Sequence, residues 1–455
     1  MDGFIKFFTD INLYETIWAI LSSRIAIGIY IAILLVLMIF IVIMVMSAEH
    51  RRSELIDLVG DKEEYYNKDK KKKDKDKEKE ESQEEEFVGK KDKEGRDPRF
   101  FILSKTDSLM ENYVKPKYNN EITLEEICIR FRNFCCYELN LYYSIDDIRQ
   151  FIAGLSVSHI IIMQGMSGTG KTSLALAFGK FLNNSSVVIP IQPMWKERTD
   201  LLGYYNEFTK KFNETLLLQK MYEANYNEEM YVAILDEMNI ARVEYYFAEF
   251  LSLLEIPKVE DRNIDVVSDK WDNDPKLLKN GRLRLPPNMW FIGTANNDDS
   301  TFAISDKVYD RAMVMNLDKK TEPFISERET SVKISVNHFN ELVERARKEY
   351  KVTGRSIRKI KKLDSYMIDN FRTSFGNRIM KQIKMYIPVF IACGGQELDA
   401  IDDILTKKVM RKLEAQNPLI IKNLVGDLIS YIDELFGEDK MLKCKEYLHR
   451  LENVA

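Results

Sequence analysis

Few of the residues that build metal centres and disulfide frameworks occur in this 455-residue chain. Its five cysteines are Cys128, Cys135, Cys136, Cys393 and Cys444, and no two have a C-x-x-C spacing. Cys135 and Cys136 are adjacent, a poor geometry for an ordinary disulfide. They are read as reduced thiols of a cytosolic compartment. His159, His338 and His449 show neither metal spacing nor a partnered nucleophile, so no chemistry is assigned to them. The charge also lacks a dominant sign. With 67 basic and 72 acidic residues the net charge is −5, so the chain is no polycation and nucleic acid is not indicated by charge.

One long apolar run is present. Ile25 to Met46 carries no charge and as a helix would cover roughly 33 Å, against a hydrocarbon core of ~30 Å. A signal peptide has a shorter apolar region and ends in small residues at a cleavage site. Here the run ends Met46-Ser47-Ala48-Glu49-His50-Arg51-Arg52, which predicts a retained single-pass transmembrane helix over 25–47. Arg51, Arg52 and the lysines from Lys68 onward follow the span, whereas only Lys6 and Arg24 precede it. The positive-inside bias then puts the N-terminus outside and the large C-terminal part in the cytoplasm. Residues 1–24 place Phe4, Phe7, Phe8, Ile11, Tyr14, Trp18 and Leu21 at helical spacing. That fits an amphipathic segment on the membrane face or a helical extension of the span. Residues 48–97 are a charged linker. From about residue 61 it is a lysine–glutamate polyampholyte with too little apolar surface to fold.

The chemistry begins at residues 165–172, Gly165-Met166-Ser167-Gly168-Thr169-Gly170-Lys171-Thr172, a complete G-x-x-x-x-G-K-[ST] phosphate loop. His159 to Gln164 before it has the β-branched density of a buried parallel strand. From Ser173 to Leu182, apolar residues recur at helical spacing. The motif needs this order of strand, turn and helix, because loop amides and a helix N-terminus converge on phosphate oxygens. Lys171 is expected to reach the β/γ-phosphates and the Thr172 hydroxyl to bind Mg²⁺, with Gly165 through Ser173 forming the cradle.

About 65 residues later, Tyr231-Val232-Ala233-Ile234-Leu235-Asp236-Glu237 reads as a buried strand ending in two acids. Asp236 is placed to hold Mg²⁺ through water, and Glu237 to orient and deprotonate the attacking water. A third strand, Trp290 to Thr294, ends at Ala295-Asn296, where Asn296 would help position that water. Arg311 precedes a short apolar strand, Ala312 to Asn316, at the far edge of the sheet. There it could reach a neighbouring subunit's γ-phosphate, or it could be an ordinary surface residue.

With these residues the chain resembles the AAA+ ATPases, and among them the MoxR-like, McrB-like and dynein-related branch. The resemblance covers roughly residues 98–455. Besides the phosphate loop it rests on Leu235-Asp236-Glu237-Met238-Asn239 with Glu244-Tyr245-Tyr246-Phe247, on Gly293-Thr294-Ala295-Asn296, on Gln192-Pro193-Met194-Trp195, and on Asp200-Leu201-Leu202-Gly203-Tyr204. It implies that Asn296 is the sensor-1 residue, Arg311 the trans-acting arginine finger and Arg378 a sensor 2 on the lid. It also implies that 257–287, with a turn at Asn280-Gly281, is an inserted β-hairpin. McrB-type proteins have Met before the sensor asparagine and favour GTP. Ala295 departs from that, so ATP is expected and GTP stays open.

The expected fold is α/β. A P-loop parallel sheet over 98–318, the AAA+ core, is followed by an all-helical lid over 319–455, with the N-terminal transmembrane helix ahead of both. The expected function is a membrane-anchored ATPase that binds and hydrolyses ATP with Mg²⁺ in a homo-oligomeric ring, a hexamer by family resemblance, to remodel an unidentified protein client. Two alternatives stand beside it: a nucleotide-gated assembly switch or scaffold, and a motor subunit of a McrB-like nucleic-acid defence system. Trp195 with Tyr204 and Tyr205 could grip substrate or simply pack. The basic run Arg355 to Lys362 fits a solvated helix face.

Overall fold

Short β-branched runs alternating with helical segments favour a parallel sheet covered by helices, and the chain builds one. The computed structural model describes residues 91–454, apart from Ser167, Ser185, residues 297–300 and Lys319. The described residues belong to one compact unit, 89–455. The amphipathic segment, the predicted span and nearly all of the linker lie outside the described residues. Among the described residues no helix is long and apolar enough to cross a membrane.

The strands are β1 (Ile160–Gln164), β2 (Val187–Pro190), β3 (Gly203–Asn206), β4 (Lys211–Glu214), β5 (Tyr231–Asp236), β6 (Asn263–Asp265), β7 (Arg282–Arg284), β8 (Met289–Ala295) and β9 (Met313–Asn316). The main sheet runs β2-β5-β8-β1-β9, with parallel pairing throughout. All seven residues of β8 are buried, as are the first five of β5. Helices on both faces account for these continuous apolar runs. Strand β2 has no counterpart in the sequence reading. It is four residues long, alternates in burial and ends in Pro190, the weak pattern of a sheet edge.

The register decides where the chemistry sits. Leu235 lies opposite Gly293, and Gln164 opposite both Ala295 and Asn316. The C-terminal ends of β1, β5 and β8 therefore come together, as open α/β sheets require of a ligand crevice. Arg311 precedes β9, whose first residue pairs with Ile161 at the other end of β1.

Two small antiparallel ribbons are inserted. One is β3–β4. The other is β6–β7, closed near Asn280 and Gly281, both with left-handed angles of 53° and 75°. The second ribbon is the hairpin expected between 257 and 287.

Beyond residue 319 the chain is helical, with helices Val336–Glu349, Gly354–Phe371, Gly376–Ala392, Glu397–Lys408, Pro418–Phe436 and Leu442–Val454. These helices share one hydrophobic core with Ile161, Met163 and Trp290 of the sheet. Buried polar contacts reinforce the join. Lys407 donates to Gln150 Oε1 (2.7 Å) and Asp403 Oδ2 (2.8 Å), and Tyr386 donates to the same Asp403 oxygen (2.6 Å). The five cysteines are buried and unbridged. His338 is a core residue whose Nε2 lies 2.9 Å from the Ile122 carbonyl. Arg355, Arg358, Lys361 and Lys362 are exposed on their helix, a solvated face.

His159 stacks at 5.1 Å against Trp290. Burial, with the nearby Arg262 charge, pushes its pKa down to about 4. The unfolded imidazole takes up a proton near pH 6.5, whereas the folded one resists until about pH 4. The histidine therefore withdraws stability as pH falls through that window. Chemical denaturation of wild type and His159→Gln from pH 7 to 4.5 should show a shallower loss in the variant. Parallel curves would contradict this assignment.

Candidate functional site

The loop between β1 and helix Lys171–Phe181 folds closely under the chain that leaves β9. Gly165 has φ 141°, and a Cβ there would lie 2.5 Å from the Leu317 carbonyl oxygen, so glycine is required by both angle and space. Gly168 and Gly170 take left-handed angles of 77° and 90°, and Gly170 is the N-cap of the helix. Ser167 lies outside the described residues. Thr169 Oγ1 donates to Met166 O at 3.0 Å, closing the turn from within. Lys171 is buried, and its Nζ donates to the carbonyls of Gly165 and Met166, both at 2.8 Å. Ser173 follows on the first helical turn, half-buried.

Asp236 ends β5 beside this loop. Its Oδ1 accepts from the Thr172 hydroxyl and from the Thr294 hydroxyl, each at 2.9 Å. Thr294 Oγ1 also accepts from the Glu237 backbone N–H at 2.9 Å. One threonine on β8 thus latches both acids in place. Glu237 has φ 52° and ψ 47°, a left-handed conformation uncommon for a non-glycine residue and found disproportionately at functional positions. Thr294 was visible in the sequence only as part of a motif. Its hydroxyl gains meaning from the β5–β8 register.

Asn296 begins the loop after β8 and is gripped through its backbone. Its N–H donates to Asn239 Oδ1 (3.3 Å), and its carbonyl accepts from Asn239 Nδ2 (2.9 Å) and Thr301 Oγ1 (3.0 Å). Asn239 follows the acids in a 3-10 turn and joins the β5 and β8 ends. On the other side of the loop the Tyr143 hydroxyl donates to Gly170 O at 2.9 Å, and burial pushes its pKa up. Tyr143, with Asn140, Gly168, Thr169 and Leu317, lines a cavity of ≈190 Å³ against the loop. A wider cavity of ≈860 Å³ lies beside the β6–β7 ribbon, lined by Arg198, Arg282 and Glu260, away from the acids.

Arg311 and Arg378 meet elsewhere. Arg311 Nη2 is 3.1 Å from Glu255 Oε2, and Arg378 Nη2 is 2.6 Å from Glu255 Oε1. Arg378, expected as a sensor 2 on the lid, thus shares a glutamate with Arg311. Helix Gly376–Ala392 packs with its start at the Arg311 turn, where Gln382 Nε2 donates to Asp310 O (3.0 Å). Its end lies at Arg149, whose Nε donates to Cys393 O (3.1 Å). Arg378 therefore lies with Arg311 at the end of the sheet away from the loop that follows β1. Trp195 packs edge-on to Tyr246 at 5.9 Å and Tyr205 to Trp271 at 5.9 Å, while Tyr204 is exposed. The packing reading holds for the first two.

The donor set suits a magnesium-bound polyphosphate: one carboxylate, a hydroxyl already on it, a buried ammonium and loop amides at a helix start. Thr172 and Asp236 would hold Mg²⁺, which would neutralise phosphate charge. Residues 160–312 match the model of the AAA domain, dynein-related subfamily. A curated relative, the type IV methyl-directed restriction enzyme EcoKMcrB subunit of Escherichia coli (strain K12), is 22% identical over 281 residues, covering 56% of this chain. The chain spans 58% of that relative's length. A solved structure of a candidate ATPase from Cytophaga hutchinsonii aligns with a TM-score of 0.44 at 11% identity, covering 72% of this chain and 96% of that one.

Gly165→Ala would drive the loop and the Leu317 backbone apart. Mg-nucleotide affinity, measured by calorimetry, should weaken by about tenfold or more. An unchanged Kd would show that the loop does not hold the ligand.

Proposed function

We propose that this chain, whose residues 160–312 carry an AAA domain of the dynein-related kind, binds and hydrolyses ATP at a site completed by a second copy. The observation that supports this reading is the division of the catalytic groups between the two ends of the sheet. Lys171, Thr172, Asp236, Glu237 and Asn296 gather at the C-terminal ends of the strands. Arg311 and Arg378 gather on Glu255 at the opposite end. Arginines so far from their own loop can act on a phosphate only in a neighbour.

The loop amides and the Lys171 ammonium bind the phosphates, which replace the Gly165 and Met166 carbonyls as the ammonium's partners. The Glu237 carboxylate takes a proton from the attacking water, and the Asn296 side chain holds that water. Arg311 from the next subunit stabilises the charge that develops on the transferred phosphoryl group, with Arg378 beside it. A head-to-tail contact of this kind closes into a ring, which supports the homo-oligomer and, by family resemblance, six subunits.

In this account the ring remodels a protein partner. The apolar run 25–46 holds it at a membrane, and the charged linker acts as tether. A switch that assembles on nucleotide would keep its output in Glu237→Gln, whereas a motor would lose it. The likeness to the McrB subunit favours a further reading as part of a nucleic-acid defence system, for which salt-dependent duplex binding is the test.

Specific ATPase activity of the full chain should rise with protein concentration and then saturate. Glu237→Gln should still bind Mg-ATP while turnover falls by about 10²-fold or more. Arg311→Ala should lose on the order of 10³-fold in kcat with nearly unchanged nucleotide affinity. Full activity in Arg311→Ala, or specific activity independent of concentration, would overturn the shared site.

A further inference from the structure

The turn that presents Arg311 is held in an unusual way. Helix Asp306–Tyr309 ends there, and the carbonyls at a helix end have no partner within the helix. Four successive carbonyls are instead met by side chains from other elements. Lys408 Nζ donates to Tyr309 O at 2.7 Å and also to Ala312 O. Gln382 Nε2 donates to Asp310 O at 3.0 Å, and Ser158 Oγ to Arg311 O at 2.8 Å. Lys408 ends helix Glu397–Lys408 and is only 3% exposed. Its burial is unfavourable for an ammonium, and desolvation pushes its pKa down to about 7, with the neighbouring Asp310 opposing and Arg411, Lys412 and Arg378 reinforcing that fall. A methionine, unbranched like lysine and one atom shorter, would pack there without that cost. The neighbouring Lys407 ties the same helix to Gln150 of helix Ile145–Val157, so the turn is coupled to the helical part of the chain by buried contacts.

We propose that Lys408 is a positioning residue for Arg311, fixing the turn that offers this arginine to the next subunit's nucleotide. The helical part of one subunit thereby governs hydrolysis in its neighbour. The inference rests on the shared site proposed above. Its physical basis is tolerance: a catalytic group displaced by about 1 Å can lose ~10²-fold in rate, and a turn whose carbonyls are released can shift by that much. Gln382 serves the same turn from a second helix.

The test compares Lys408→Met, Arg311→Ala and the double variant in the full-length chain, reading kcat and, separately, Mg-ATP affinity. Lys408→Met is expected to lower kcat by about 10²-fold while nucleotide affinity stays within about twofold. The double variant should be no slower than Arg311→Ala, because both changes remove one contribution. If Lys408→Met does not fold, Gln382→Met perturbs the same turn and should follow the same pattern with a smaller loss. A double variant slower than Arg311→Ala by the full Lys408→Met factor would overturn the inference, as would near-wild-type kcat in Lys408→Met or a matching loss of nucleotide affinity. Wild-type rates in Arg311→Ala itself would instead defeat the shared site on which the inference stands.

Discussion

The site depends on one carboxylate. Asp236 Oδ1 gathers hydroxyls from the helix after the phosphate loop and from β8, so three elements distant in sequence are joined at a single oxygen. Thr294 extends the junction to the Glu237 amide. Hydrogen bonds to a charged acceptor are among the stronger ones, typically worth about 1.5–3 kcal/mol each. Their value here is geometric. They set Asp236, Glu237 and the helix start relative to one another before a ligand arrives, the preorganisation that the proposed electrostatic catalysis requires.

The second constraint is the sheet's polarity. In a parallel sheet all C-terminal ends lie on one side, so a loop after β1 and an arginine before β9 must face apart. Glu255 holds both arginines at that far end and supplies the anionic partner that, on the proposed shared site, a phosphate would supply. Exchanging one anion for another costs less than burying bare guanidinium groups taken straight from water. The helical part belongs to the same core as the sheet and reaches the arginine turn through Lys408 and Gln382. On the proposed shared site, movement of those helices would have a direct route to chemistry in an adjoining subunit.

The segments legible in the sequence were those where chain geometry leaves little choice. Continuous apolar runs marked β1, β5 and β8, and the glycines with Lys171 and Thr172 marked the loop. The Asn280-Gly281 turn marked the inserted ribbon. What escaped were properties that exist only after strands and helices meet. Thr294 and Asn239 look like ordinary polar residues until the register sets their side chains between the acids and Asn296. Strand β2 was too short and too alternating to stand out. The pairing of Arg378 with Glu255 was not legible, because a helix's sequence shows which face is apolar but not which end packs where. Glu255 and Lys408 carried no local signal.

The central claim is that cleavage needs groups from two copies of the chain. It is tested most directly by mixing two inactive full-length proteins, Glu237→Gln with its arginines intact and Arg311→Ala with its acids intact. ATPase activity should reappear on mixing, because an Arg311→Ala site can then border a neighbour that still carries Arg311. A mixture that forms joint assemblies yet stays as inactive as its components would contradict the account.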